Sequence, residues 1–556
     1  MQPKPWPEVP ADTARVAKKA FRKGSLPIRA RDELGAWCAD ADFAGVYGVR
    51  GAPGISPAQL AMVTVLQFCE NLTDRQAADA VRGRLDWKYA LGLALADEGF
   101  DFSVLSEFRD RLVAAGAERV IFDLLLGRLK ALGLVRAGGT ARTDSTHVLA
   151  RIRSLNRLEL AGETVRAALE ALAAAAPGWL AGVIDASWQE VYGQRIDGWR
   201  LPASETKRTE LAARYGRDGC HLLEAAWAPG APAWLRELPA VETLRRIWVQ
   251  QYTRGEDGTV IRREAGLSGH GLPPGRLRII SPYDTEARYS EKRGTGWDGY
   301  KIHLTETCGG PAGSVNLITS VATTAAPVPD AVMTQPVHDM LAAAGLAPGE
   351  HAADAGYAGT DQLLAAQARN ITLLAPLPAD HSPQARSGGY TADMFTIDWQ
   401  HQRVTCPQGA LSHQWSPALQ DGKRQIFITR FPAATCRACP ARGKCTTSAQ
   451  GGRQLGVRPK EIHEALTAAR AEQAGQPWKD RYKIRAGVEG TIRQATHVTG
   501  IRTARYLGLP KTSLEHAAAA AAINLTRLNA SWTSNPLDPT PTRTTHLQRL
   551  NLTAAA

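Results

Sequence analysis

The chain has no apolar run near the ~18 residues that a membrane-spanning helix needs, so no span is expected in its 556 residues. Its opening stretch, Met1-Gln-Pro-Lys-Pro-Trp-Pro7, lacks the apolar centre of a secretory signal. Cysteine is scarce: eight thiols in so long an unsecreted chain do not make a disulfide framework and point instead to reduced thiols or metal ligation. Acidic side chains are fewer than basic ones, 54 against 66, which leaves a net charge of +12 and a pI near 9.4. That excess favours a polyanionic partner such as nucleic acid without requiring one. These features together describe a cytoplasmic chain that faces a polyanion.

What is present is ordinary for a globular protein, 44% hydrophobic and 22% charged, and the length predicts roughly two to four domains with ample core. Residues 1–28 are rich in Pro and Lys with little periodicity and read as a loose arm. From 29 to 137 the pattern is helical, with Ser56 (before Pro57), Thr73 and Ser103 as N-caps, the last opening Val104–Ala114. Short helices joined by turns suit a DNA-binding helical domain, and equally any small helical bundle. If this region meets DNA, Ser106, Arg109 and Arg111 are the exposed candidates.

Gly138-Gly139 ends the helical region, and Thr140–Leu149 follows as a strand of Thr and Val around Asp144. An Asp inside a strand either ends it with a turn hydrogen bond or faces something that needs charge. The stretch 155–280 carries six tryptophans (Trp179, Trp188, Trp199, Trp227, Trp234, Trp248), too many for a flexible linker, and reads as a folded helical insertion. Gly299–Thr305 and Val315–Thr324 read as two further strands. Lys292, Lys301 and His303 on these strands would reach phosphate or simply line a solvated face. A short apolar strand then ends in Asp354-Ala-Gly-Tyr357, where the alternative role of Asp354 is to cap the following loop.

The segment 380–460 holds four of the cysteines. Cys406-Pro-Gln-Gly resembles half a zinc knuckle, and Cys436-x2-Cys439-x5-Cys445 supplies three more thiols. A single C-x2-C with two outlying cysteines leaves two readings open, a tetrahedral structural zinc and reduced, unmetallated thiols. The remaining cysteines, Cys38, Cys69, Cys220 and Cys308, are isolated and expected to be buried. From 531 to 556, Pro, Thr, Ser and Asn predict a disordered tail.

The densest signal lies at Asp480–Arg493. Tyr482, Arg485, Glu489 and Arg493, spaced 3, 4 and 4 apart, line one face of an α-helix. Between Lys479 and Lys511 eight Lys and Arg surround only two acids, Asp480 and Glu489. A lone acid in such a field is either a salt-bridge partner or a functional group. Thr512-x-x-Glu515 reads as a capping box opening a long Ala-rich helix.

Tyr482-x2-Arg485-x3-Glu489, with Glu489-Gly-Thr and the later Arg505-Tyr-Leu-Gly-Leu, resembles the C-terminal signature of bacterial insertion-sequence DDE transposases. Asp144-Ser-Thr and Asp354-x-Gly-Tyr stand where that family carries its two catalytic aspartates, and Leu72–Ala80 with Ser103–Arg109 resembles its N-terminal helical domain. One position departs: the family's Lys seven residues after the Glu falls on Thr496, so Arg493 or His497 would have to serve.

The resemblance implies an α/β fold, a ribonuclease H-like mixed sheet flanked by helices over 138–530, with an N-terminal all-α domain and the two insertions. It implies that Asp144, Asp354 and Glu489 bind two Mg²⁺ ions, with Mn²⁺ as a substitute, because hard ions prefer carboxylate oxygens. It implies cleavage at element ends and strand transfer into target DNA without a covalent protein–DNA intermediate. Tyr482, Arg485, Arg493, Lys301 and Arg109 would contact DNA. The partners would be double-stranded DNA and further copies of the chain, a homodimer or higher, in the cytoplasm at the bacterial nucleoid. Two other classes stay open: a catalytically inactive transposase-derived DNA-binding protein, and a zinc-dependent nucleic-acid-binding module built on the cysteines.

Overall fold

The computed structural model describes residues 3–47, 54–264, 266, 271–292, 294–311, 313–377, 380, 382–422 and 424–533. Its centre is a mixed sheet of six strands: β1 (Thr140–Leu149), β2 (Arg288–Lys292), β3 (Thr295–Cys308), β4 (Ile318–Ala325), β5 (Glu350–Ala353) and β6 (Thr372–Leu374). The order across it is β4–β3–β1–β5–β6, and β2 forms a hairpin with the first half of β3. β3 runs antiparallel to its neighbours β1 and β4, whereas β5 and β6 run parallel to β1. Three antiparallel strands followed by two parallel ones, with helices on the faces, is the ribonuclease H-like arrangement. Thr and Val along β1 suit its pleated surface, and Val148 is fully buried.

Three helices fix how the sheet is covered: α1 (Pro57–Cys69), α2 (Gly487–Thr499) and α3 (Leu509–Trp532). α3 is buried nearly all round, and its run Ala517–Ala522 lets α1 and β4 approach closely. Asn524 serves the strand it covers: its amide accepts from the Ile318 N–H at 2.7 Å and donates to the Ile318 carbonyl at 2.8 Å. Leu66 and Phe68 of α1, Ile302 and Val321 of the sheet and Ile523 of α3 share one hydrophobic core. The N-terminal helices and the sheet are thus joined through α3.

The insertion after β1 has its own core. Helices Arg157–Ala175, Glu205–Trp227 and Pro239–Gln251 bury Leu169, Trp188, Leu222, Leu244 and Trp248 together. Gly219 is required there, since a Cβ would meet the Trp248 ring at 2.1 Å. The segment 380–460 forms short strands instead, a pair (Thr396–Asp398, Arg403–Thr405) and a trio (Gln414–Gln420, Arg424–Arg430, Gln454–Val457).

Local structure differs from the sequence reading in four places. Within the expected arm, Ala11–Ala20 is a helix, held by burial of Thr13 and Ala17 and by the Thr13 hydroxyl donating to the Leu93 carbonyl. Ser103 lies inside its helix, with Asp101 accepting from the Ser103 N–H. The capping box at Thr512 does not form: α3 begins at Leu509, and Glu515 turns inward to accept from the Arg505 N–H at 2.8 Å. Of the expected tail, residues 531 and 532 still belong to α3, and 534–556 lie outside the described residues.

Candidate active site

β1 and β5 pair in parallel from Thr140 opposite Glu350 to Thr143 opposite Ala353. The next residue on each strand is an aspartate, Asp144 within β1 and Asp354 just past the end of β5. Asp144 is 7% exposed, and its Oδ1 accepts from the Ser145 N–H at 2.8 Å. Burial pushes its carboxyl up to about 6, and the Asp354 charge adds to this, while Arg485, the Ser145 N–H and Lys292 oppose it. Asp354 is half-buried and caps the short turn Ala355–Tyr357, its Oδ1 accepting from the Gly356 N–H at 2.9 Å.

Glu489 lies in the first turn of α2, which buries Val488, Ile492 and Ala495 and leaves Glu489 and Arg493 in solvent. The guanidinium of Arg485 bridges two carboxylates: Nη2 donates to Asp144 Oδ2 at 2.6 Å, and Nη1 to Glu489 Oε1 at 2.9 Å. Because the guanidinium is a rigid fork, these two bonds hold Asp144 and Glu489 within roughly 8 Å of each other. The motif is not one continuous helix. A helix ends at Tyr482, Lys483–Ala486 forms a 3₁₀ turn, and α2 begins at Gly487. Arg142 lies against this tightened turn: its Nη1 donates to the Ile484 carbonyl at 2.8 Å, and a Cβ on residue 487 would lie 2.0 Å from the same guanidinium.

Tyr482 is half-buried and stacks on Trp478 at 4.9 Å. Thr496 is half-buried, whereas Arg493 and His497 are exposed on the Glu489 side of α2. Two expected DNA contacts are committed elsewhere. Arg109 is 4% exposed, bonds Asp74 with both guanidinium nitrogens at 3.0 and 2.5 Å, and lies over the Tyr506 ring. Ser106 and Arg111, the other two, are exposed. Lys301 donates to the Val328 carbonyl at 2.7 Å and pairs with Asp330 at 3.1 Å, both partners shielded from solvent.

Sequence reasoning missed Arg502 and Asp330. Arg502 donates to Thr146 Oγ1 at 3.2 Å on β1, and with Lys292 it disfavours a proton on His147, whose pKa burial already lowers. Asp330 opens the helix Asp330–Ala343 beside the Asp354 turn: a Cβ on Gly356 would touch both carboxylates, at 3.3 and 2.9 Å. Its place directly after Pro329 at a helix start was the available signal. Under the site lies Tyr357, fully buried and bonded to His303 Nδ1 at 2.6 Å.

Cys406, Cys436, Cys439 and Cys445 all line one cavity of about 280 Å³. Cys406 sits in a tight turn, with Gly409 at φ +81° and the Ala410 N–H donating to Cys406 Sγ at 3.3 Å. The Arg453 N–H donates to Cys436 Sγ at 3.5 Å. Burial and the other three thiols push the Cys445 thiol up. Among the described residues, no three or more His, Cys, Asp or Glu side chains stand close enough together to hold a metal ion. The sulfurs share a cavity without converging on one point, and Glu489 is drawn to Arg485.

The family model described as "Transposase DDE domain" matches residues 405–529, a span that includes the four cysteines, Arg485, Glu489 and most of α3. A second, "Transposase domain (DUF772)", matches residues 18–111 among the N-terminal helices. Both matched stretches are similar to transposase domains and support a likeness to the insertion-sequence DDE transposases. Asp144 and Asp354 lie outside both matched spans, so their pairing rests on the sheet alone. No curated protein and no solved structure matches the chain. Among the described residues, no helix is long and apolar enough to cross a membrane.

Proposed function

We propose that the protein cleaves DNA at the ends of a mobile element and joins the freed strand to target DNA. The observation that carries this reading is the adjacency of Asp144 and Asp354 on neighbouring parallel strands, with Arg485 tying Asp144 to Glu489. Three carboxylates are the donor set that Mg²⁺ or Mn²⁺ prefers. Divalent ions bound there would activate the attacking oxygen and stabilise the leaving one. The chain's own part is to hold those ions through Asp144, Asp354 and Glu489 and to position phosphate with Arg485, Arg493, Lys292 and Arg502. A water oxygen bonds to phosphorus as the P–O3′ bond breaks, releasing a 3′ hydroxyl. That hydroxyl oxygen then bonds to a target phosphorus at the same site as the target's P–O3′ bond breaks, and the leaving O3′ takes up the proton to become a 3′ hydroxyl.

The double-stranded DNA partner, assembly as a homodimer or larger on DNA, and a cytoplasmic, nucleoid-bound location belong to the same proposal. So does a structural Zn²⁺ on Cys406, Cys436, Cys439 and Cys445: four thiols on one cavity, two of them already accepting backbone N–H bonds, are a suitable donor set.

A cleavage assay on a duplex carrying the element end tests the main reading. Asp144→Asn, Asp354→Asn and Glu489→Gln should each abolish Mg²⁺-dependent cutting while leaving DNA affinity intact or improved. Arg485→Ala should weaken DNA binding and flatten its salt dependence by about one phosphate contact. A wild type that binds the end and never cuts it would instead support the catalytically inactive DNA-binding reading.

A further inference from the structure

Glu306 lies near the C-terminal end of β3 with no exposed surface, and its carboxylate joins four elements. Oε1 accepts from Arg142 Nε of β1 at 2.7 Å. Oε2 accepts from Thr491 Oγ1 of α2 and from Arg527 Nη1 of α3, each at 2.6 Å. The cluster closes on itself, since Arg527 Nη2 donates to Thr491 Oγ1 at 2.6 Å and Arg527 Nε to Gln494 Oε1 at 2.8 Å. Arg142 reaches on to the Ile484 carbonyl, in the 3₁₀ turn that carries Arg485.

The partners of Glu306 sit next to the candidate catalytic groups. Arg142 is two residues before Asp144 on the same face of β1, and Thr491 is two residues after Glu489 on α2. A buried carboxylate with two guanidinium partners is a poor stabiliser compared with apolar packing, because desolvating the charges offsets their attraction. It does set distance and angle strictly, since each lone pair and each N–H has one place to go. α2 also buries Val488, Ile492 and Ala495, apolar side chains whose contacts set its angle less strictly than directed hydrogen bonds do.

We propose that Glu306 is a positioning residue: it fixes α2 against β1 so that Glu489 and Asp144 serve the same divalent cation. This rests on the nuclease reading above, and the test separates the two. Mn²⁺ binding to the full-length protein, followed by the paramagnetic resonance of the free ion, is measured alongside thermal unfolding. Glu306→Gln should weaken Mn²⁺ binding at least fivefold and Thr491→Val about threefold, whereas Thr491→Ser, which keeps the hydroxyl, should bind as wild type does. Leu244→Ala, in the separate insertion core, should lower the unfolding temperature and leave Mn²⁺ affinity unchanged. If Glu306→Gln does not fold, the Thr491 pair decides. Unchanged Mn²⁺ affinity in Thr491→Val, or equal weakening in Thr491→Ser, overturns the proposal. A wild type that binds no Mn²⁺, or binds it as well after Asp144→Asn, overturns the nuclease reading and this inference with it.

Discussion

Glu515 and Arg109 are both buried ionisable residues, but only Arg109 has an opposite charge to hold. Glu515 has one oxygen on the Arg505 N–H and the other unpartnered, and burial pushes its carboxyl up to about 7. A raised carboxyl favours the protonated fold, so its contribution to stability is complete below about 4.5 and is lost as pH rises through about 7. Glu515→Gln should therefore match wild type at pH 5 and exceed it by about 1–3 kcal/mol at pH 8, read from denaturant unfolding. Arg109 is the reverse case. Its loss leaves Asp74 without an opposite charge, though still accepting from the Gln67 amide at 2.8 Å, and because the Asp74 side chain stays 25% exposed, Arg109→Ala should cost roughly 2–4 kcal/mol, below the figure for a fully buried pair. The salt dependence of DNA binding should not change with it. Nothing in the sequence near Arg109 announces this: Asp74 comes from another helix and Tyr506 from the far end of the chain. Lys301 was hidden in the same way, because strand alternation does not tell which face a later helix will cover.

At the scale of elements, the readable and unreadable parts divide along local against long-range causes. β1 and the helices starting at Pro57 and Asp74 follow from residue type and capping, and Ser56 and Thr73 do accept the N–H bonds of their first turns. The tightened turn between Tyr482 and Gly487 does not follow from local pattern; its Ile484 carbonyl is bonded by Arg142, over 340 positions earlier. The carboxylate motifs were legible as short strings. Their relation in space needed the β1–β5 register, which no periodicity encodes. In the cysteine segment, the spacing pointed to one cluster; the four thiols line one cavity, but no three of them stand close enough together to hold a metal ion. Protein purified without chelator should contain about one zinc per chain, by elemental analysis, and Cys436→Ser with Cys439→Ser should lose it. Finding no zinc would favour reduced thiols and leave the carboxylate chemistry standing.

Across the whole molecule, the helical region read as a domain over 29–137 shares its core with the sheet, because α3 fills the space between them. The insertion keeps a core of its own. Ending the chain before Leu509 should therefore unfold the N-terminal helices together with the sheet, seen as lost protection from hydrogen exchange, while the helices around Trp248 stay protected. The order in which these parts are made then has a cost. The N-terminal helices are complete by Ala131, yet α3 starts 378 residues later. At translation rates of about 5–20 residues per second, the groove meant for α3 waits roughly 20–75 s on the ribosome with its apolar lining open. Each newly made molecule spends that interval exposed to chaperones and proteases, and Glu489 with its helix α2 emerges only near the end of it. The cell therefore has that interval to remove an unfinished molecule before it can have a complete carboxylate set.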